Sequence, residues 1–155
     1  MPMKKLLAAL AFSFIAFLPL QASAMTHTLG TDLVRLLDGN MDDGMFNLSW
    51  QGSLSRSTAV RASYSTGDNL SILDVTFKAY IDRYHQGVFY EIGGSWWDGP
   101  NDDSIGVLGA LGYERSLVRH VVAGGSVQLY GGIDETVGKP ESPFFLPSLF
   151  ISYTF

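Results

Sequence analysis

From Phe46 to Gln51 apolar and polar side chains alternate one for one, with Phe46, Leu48 and Trp50 on one face and Asn47, Ser49 and Gln51 on the other. Successive side chains of a strand point to opposite faces, so this period of two predicts a strand with one apolar and one wet surface. The same texture recurs along the chain in segments of about ten residues, the length of a tilted strand that crosses a bilayer. It predicts eight strands, near residues 27–37, 44–53, 57–66, 70–81, 87–97, 105–114, 119–130 and 145–155. Asp38-Gly39-Asn40, Thr66-Gly67-Asp68-Asn69, Asp98-Gly99-Pro100-Asn101 and Gly131-Gly132 punctuate these runs with residues that turn readily. Pro147 is expected near the rim of the last strand, where pairing begins, because it has no N–H to give to a ladder.

The start of the chain has a different pattern. Lys4 and Lys5 precede the apolar run Leu6 to Leu20, and Ala22-Ser23-Ala24 follows as a small-x-small site, which together predict a cleaved signal peptide over residues 1–24. Removing 24 residues from 155 leaves 131, enough for one domain, 25–155. The apolar run is shorter than the roughly 20 residues of a spanning helix, and no later stretch matches it. A membrane chain without such a helix must close its strands into a barrel, since hydrocarbon offers no partner to an open sheet edge. The expected fold is therefore all-β: an eight-stranded antiparallel up-and-down transmembrane β-barrel after a cleaved signal peptide. A soluble lipocalin-like barrel is the alternative, with its apolar face turned inward.

With an even strand count both termini lie on one side, the periplasm. Connections one, three, five and seven then face outward and hold Asp38, Asp42, Asp43, Asp68, Asp98, Asp102, Asp103, Asp134, Glu135 and Glu141 against Lys139. The opposite turns carry Arg56, Arg83, Arg115 and Arg119, with Asp82 and Glu114 at their edges. Of the 10 Lys and Arg two lie in the predicted signal peptide, leaving 8 against 15 Asp and Glu, a net charge of −7. An acidic chain argues against nucleic acid as a partner. There is no cysteine, hence no disulfide framework and no acylated cysteine. The 17 glycines exceed the average of about 7%, and Gly93, Gly94, Gly106, Gly109, Gly112, Gly124 and Gly125 fall inside predicted strands, where a narrow barrel needs small residues.

The chain ends on Leu149-Phe150-Ile151-Ser152-Tyr153-Thr154-Phe155, with Leu149, Ile151, Tyr153 and Phe155 on one face. Together with the export signal and the alternating strands, this terminal strand resembles that of the small bacterial outer-membrane barrels of the OmpA-domain and OmpX size class. The resemblance implies an outer-membrane location among outer-membrane lipid and lipopolysaccharide. It also implies a terminal strand, with Tyr153 and Phe155, that is read by the barrel-assembly machinery.

Candidate chemistry is sparse. Closing Gly67-Asp68 as a two-residue turn sets Arg61 opposite Asp74, and closing Arg83 to Gln86 sets Lys78 opposite Glu91, all on the wet face. Buried charges need partners. These pairs are expected to plug the lumen, with a gated ion path as the alternative role. Asp42-Asp43 and Asp102-Asp103 are adjacent oxygen donors that suit a hard cation but lack the spaced ligands of a calcium loop. Gly106-Val107-Leu108-Gly109 has no phosphate-binding spacing, so no cofactor is expected. A lipid-modifying enzyme, such as a lipid A deacylase, would need a base near the outer rim. His27, His85 and His120 all fall toward the periplasmic side, while Ser71, Ser95 and Ser104 lie near the outer rim, and no histidine and serine stand two apart. The expected function is a non-enzymatic envelope barrel. Trp50, Tyr64, Tyr90, Trp96, Tyr113, Tyr153 and Phe155 fit an interfacial girdle, and Trp96-Trp97 is a weaker candidate for a sugar platform.

Overall fold

A computed structural model describes residues 25–39, 42–134 and 142–155. The predicted signal peptide, and Glu135, Lys139 and Glu141 of the seventh connection, lie outside the described residues. Eight antiparallel strands follow in order: β1 (His27–Asp32), β2 (Phe46–Ser53), β3 (Thr58–Thr66), β4 (Ser71–Tyr80), β5 (Gln86–Asp98), β6 (Asp103–Val118), β7 (Val121–Gly131) and β8 (Phe144–Thr154). Each pairs with the next, and β1 pairs with β8 from Thr28↔Thr154 to Asp32↔Phe150, so the sheet closes into a barrel. His27, at the start of β1, and Phe155 share one end, the terminal end. The odd-numbered connections lie at the other, the loop end.

Alternation sorts the side chains by polarity, with the polar set inside. Gln51, Asp74, Thr76, Lys78, Glu91, Glu114 and Gln128 are buried in the lumen, whereas Phe46, Leu48, Ile92, Ile105, Leu111 and Phe145 stand exposed on the outer surface. Two apolar clusters pack inside the barrel, one toward each end. Met45, Leu70, Ile72, Trp97, Leu108, Tyr130, Ile133 and Phe144 pack at the loop end, and Ala59, Tyr80 and Phe89 pack with Tyr84 and Phe150 at the terminal end. Trp97 meets Tyr130 and Phe144 edge-on at 5.2 and 5.5 Å, contacts that contribute about 1 kcal/mol each beyond their burial.

The first strand departs from the sequence expectation. Strand 27–37 ends at Asp32, and Leu33–Leu37 form a short helix, α1. The Asp32 carboxylate accepts the N–H groups of Val34 (2.9 Å) and Arg35 (3.4 Å), an N-cap that competes with continued pairing. Leu-Val-Arg-Leu-Leu also lacks period-two alternation; its helical turn sets Leu33, Leu36 and Leu37 outward and Arg35 inward. The returning chain passes close under α1: Met45 N–H donates to the Arg35 carbonyl at 2.6 Å. Gly44, at φ +94°, allows that approach, since a Cβ there would collide with the Leu36 carbonyl oxygen.

The short β1 also explains Pro147, which lies three residues inside β8 opposite Val127 rather than at its start. His27 and Phe155 exchange backbone hydrogen bonds, so every second residue back from Phe155, including Pro147, turns its nitrogen toward β1. β1 has already ended opposite Phe150, and the missing N–H leaves no strand unpaired.

Candidate functional site

The lumen holds two charged layers between the apolar ends. In the layer nearer the loop end, α1 delivers Arg35, 4% exposed, into the barrel. Its guanidinium donates to Ser65 Oγ (2.7 Å), Asp74 Oδ2 (3.1 Å), Gln128 Oε1 (3.0 Å) and the Tyr130 hydroxyl. Asp74 is further satisfied by Ser95 Oγ at 2.5 Å and the Tyr130 hydroxyl at 3.1 Å, and Trp97 Nε1 donates in turn to Ser95. Ser63 Oγ donates to it as well at 3.4 Å, so one carboxylate collects donors from α1, β3, β5 and β7.

The second layer is built on Glu114 and Glu91. Lys78 Nζ lies 2.5 Å from Glu114 Oε2 and 3.6 Å from Glu91 Oε1, and it sits 3.7 Å above the centre of the Phe89 ring. Arg61 reaches Glu91 Oε2 at 3.4 Å, and Thr76 donates to the same oxygen at 3.1 Å. Tyr80 donates to Glu114 Oε1 at 2.6 Å, and His85 Nδ1 lies 2.7 Å from it. The other ring nitrogen of His85 is 2.8 Å from Thr28 Oγ1. His85 belongs to the β4–β5 turn, but its positive φ of 62° folds the ring back into the barrel, where it is 6% exposed.

The long charged side chains come from α1 and β3 to β6, while Gly30, Ser49, Ser126, Ser148 and Ser152 line the facing wall on β1, β2, β7 and β8. Small residues on one wall give the charges on the other room to reach across. The cavity between them has a volume of about 20 Å³, roughly one water's space.

The four lumen residues singled out in the sequence all lie in this network, but one partnership differs. Lys78 stands opposite Glu91, whereas Arg61 stands opposite Thr76 and not Asp74. The β3–β4 connection is not the two-residue turn Gly67-Asp68. Thr66 pairs with Ser71, and Gly67 N–H closes onto the Leu70 carbonyl at 2.9 Å. The longer turn is held from the first connection, whose Asp42 carboxylate accepts the N–H groups of Asn69 (2.7 Å) and Leu70 (2.9 Å). The resulting slip of two residues preserves each side chain's face and changes its partner. Arg61 therefore meets Glu91, and Asp74 takes Arg35, expected on the first strand but carried by α1.

The weaker candidates are engaged elsewhere. Asp42 serves the turn; Asp102 accepts from the Asp103 N–H at 2.9 Å, and Asp103 from Trp96 Nε1 at 3.3 Å. Among the described residues no group of three or more acidic, histidine or cysteine side chains is arranged to hold a metal ion. Trp96 and Trp97 point to opposite faces, Trp97 being fully buried, so they form no shared sugar platform. Leu149, Ile151, Tyr153 and Phe155 line one outward face at the end of the chain, 42% to 61% exposed.

This architecture is that of a closed, eight-stranded, all-antiparallel β-barrel. It is similar to the crystal structure of the N-terminal β-barrel domain of Pseudomonas aeruginosa OprF, with a TM-score of 0.60 over 84% of this chain and 95% of that one, at 10% sequence identity. No protein-family model and no curated protein matches the sequence.

Proposed function

We propose that the mature chain is an outer-membrane barrel with a plugged lumen, acting without catalysis in envelope structure or in contacts at the cell surface. The observation that carries this reading is the inverted polarity. Buried Lys78, Glu91, Glu114 and Asp74 with exposed Ile92, Ile105, Leu111 and Phe145 would be an aggregation hazard in water and suit a hydrocarbon surround. In this reading the loop end, with Asp38, Asp42, Asp43, Asp98, Asp102 and Asp103, faces outward beside lipopolysaccharide. The terminal end faces the periplasm, and the barrel-assembly machinery reads Leu149, Ile151, Tyr153 and Phe155. Cell fractionation followed by electrophoresis of boiled and unboiled samples tests it. A heat-dependent shift in the outer-membrane fraction is expected, and a soluble periplasmic protein without a shift would refute it. The cavity of about 20 Å³ supports a plug rather than a channel, so planar bilayers should show no unit conductance steps.

A second reading, lipid-directed hydrolysis, has one observation in its favour. Glu114, His85 and Thr28 form a carboxylate–imidazole–hydroxyl line, the order in which an acid orients a base beside a nucleophile. Thr28 is 3% exposed and its hydroxyl also meets Tyr84 (3.2 Å) and Thr154 (3.1 Å), which favours a structural role. Mass spectrometry of envelope lipids with and without the gene separates the two: an altered acyl pattern restored by wild type but not by Thr28→Val would establish hydrolysis.

A further inference from the structure

The three connections at the terminal end are entered by one repeated pattern: Leu54-Ser55-Arg56, Ile81-Asp82-Arg83 and Leu117-Val118-Arg119. In each, an apolar side chain stands outward, Leu54 at 54%, Ile81 at 70% and Leu117 at 61% exposed, and an exposed arginine follows two residues later. Two of these connections are joined. Tyr84 N–H donates to the Arg56 carbonyl at 2.7 Å, and Arg56 and Arg83 line one open cavity of about 790 Å³ with Met25, Thr26, Leu54 and Tyr84. Gln86 accepts from Arg83 Nε at 2.8 Å, which orients that guanidinium. Asp82 is exposed in the same turn, but among the described residues no carboxylate lines the cavity.

We infer that this mouth binds the phosphate of an anionic phospholipid, held between Arg56 and Arg83, with acyl chains descending over Leu54 and Ile81. A planar guanidinium makes two parallel hydrogen bonds to a phosphate, and two such forks flank this cavity. The apolar partners select lipid over a soluble anion. A free phosphate would need the arginines alone, whereas an exposed Leu or Ile beside each arginine matches a molecule that is charged at one end and hydrocarbon at the other. The inference rests on the membrane-barrel reading and deepens it by naming the lipid class at the periplasmic rim.

The test uses the mature barrel refolded in mild detergent, with native mass spectrometry reading the bound lipid. It is titrated with short-chain phosphatidylglycerol, with phosphatidylcholine, and with phosphatidylglycerol in the presence of inorganic phosphate. Wild type should retain phosphatidylglycerol preferentially, and inorganic phosphate should not displace it. The double variant Arg56→Gln/Arg83→Gln should bind it about thirtyfold more weakly, two arginines at roughly 1 kcal/mol each, with phosphatidylcholine retention unchanged. Equal retention by the double variant, or displacement by equimolar inorganic phosphate, overturns the inference. The unboiled gel band separates the two levels: a compact band with unselective lipid binding overturns this site alone, and its absence in wild type overturns the barrel reading as well.

Discussion

Arg35→Met is the substitution that most directly probes how the lumen is held. Methionine keeps an unbranched stem and a good helix former, so α1 should persist while the guanidinium is lost. The change removes hydrogen bonds to Ser65, Asp74, Gln128 and Tyr130. It also strands Asp74, 1% exposed, without its cation. Breaking a buried ion pair by deleting one partner costs about 3–5 kcal/mol. Asp74 retains Ser95 and Tyr130 as donors, which places the expected loss near 3 kcal/mol, at the lower end of that range. Adding Asp74→Asn removes the stranded charge and should recover about 2 kcal/mol of it, because a buried pair replaced on both sides is close to neutral. The assay is reversible urea unfolding in phospholipid vesicles, followed by tryptophan fluorescence and by loss of the unboiled gel band. A cost below about 1 kcal/mol for Arg35→Met, or strict additivity with Asp74→Asn, would show that α1 does not bring Arg35 into the barrel.

Other substitutions test separate joints. Pro147→Ala should change stability by less than about 0.5 kcal/mol, because its nitrogen faces the gap beyond β1, whereas Ile151→Pro, four residues on and opposite Thr31, should cost about 3 kcal/mol or more; the same urea titration measures both. Asp42→Ala deprives the Asn69 and Leu70 N–H groups of their acceptor and should cost about 1 kcal/mol, with faster amide exchange confined to the β3–β4 turn.

Period-two alternation carried most of the fold, because in a barrel every strand presents one face to each environment. It located eight strands and assigned Arg61, Asp74, Lys78 and Glu91 to the wet face, a property that survives any register slip of two residues. Partner identity does not survive such a slip. The Arg61 pairing was lost because the β3–β4 turn is set by Asp42, a residue from a different connection that local turn chemistry does not reveal. The helix α1 is legible: Asp32 ahead of Leu-Val-Arg-Leu-Leu is an N-cap signal before a run without alternation, which sets residues 33–37 apart from the first strand. His85 was not legible. A histidine in a four-residue turn reads as solvent-exposed until the positive φ that turns it inward is known.

The central claim is an inside-out barrel, and two adjacent tryptophans report on it directly. Trp96 lies on the outer surface and Trp97, fully buried, points into the lumen. Two single-tryptophan proteins, Trp50→Phe/Trp97→Phe and Trp50→Phe/Trp96→Phe, reconstituted into vesicles of brominated phospholipid, would be compared by fluorescence. The account predicts strong quenching of Trp96 and little change for Trp97. Equal quenching of both, quenching of Trp97 alone, or no quenching of either would contradict it.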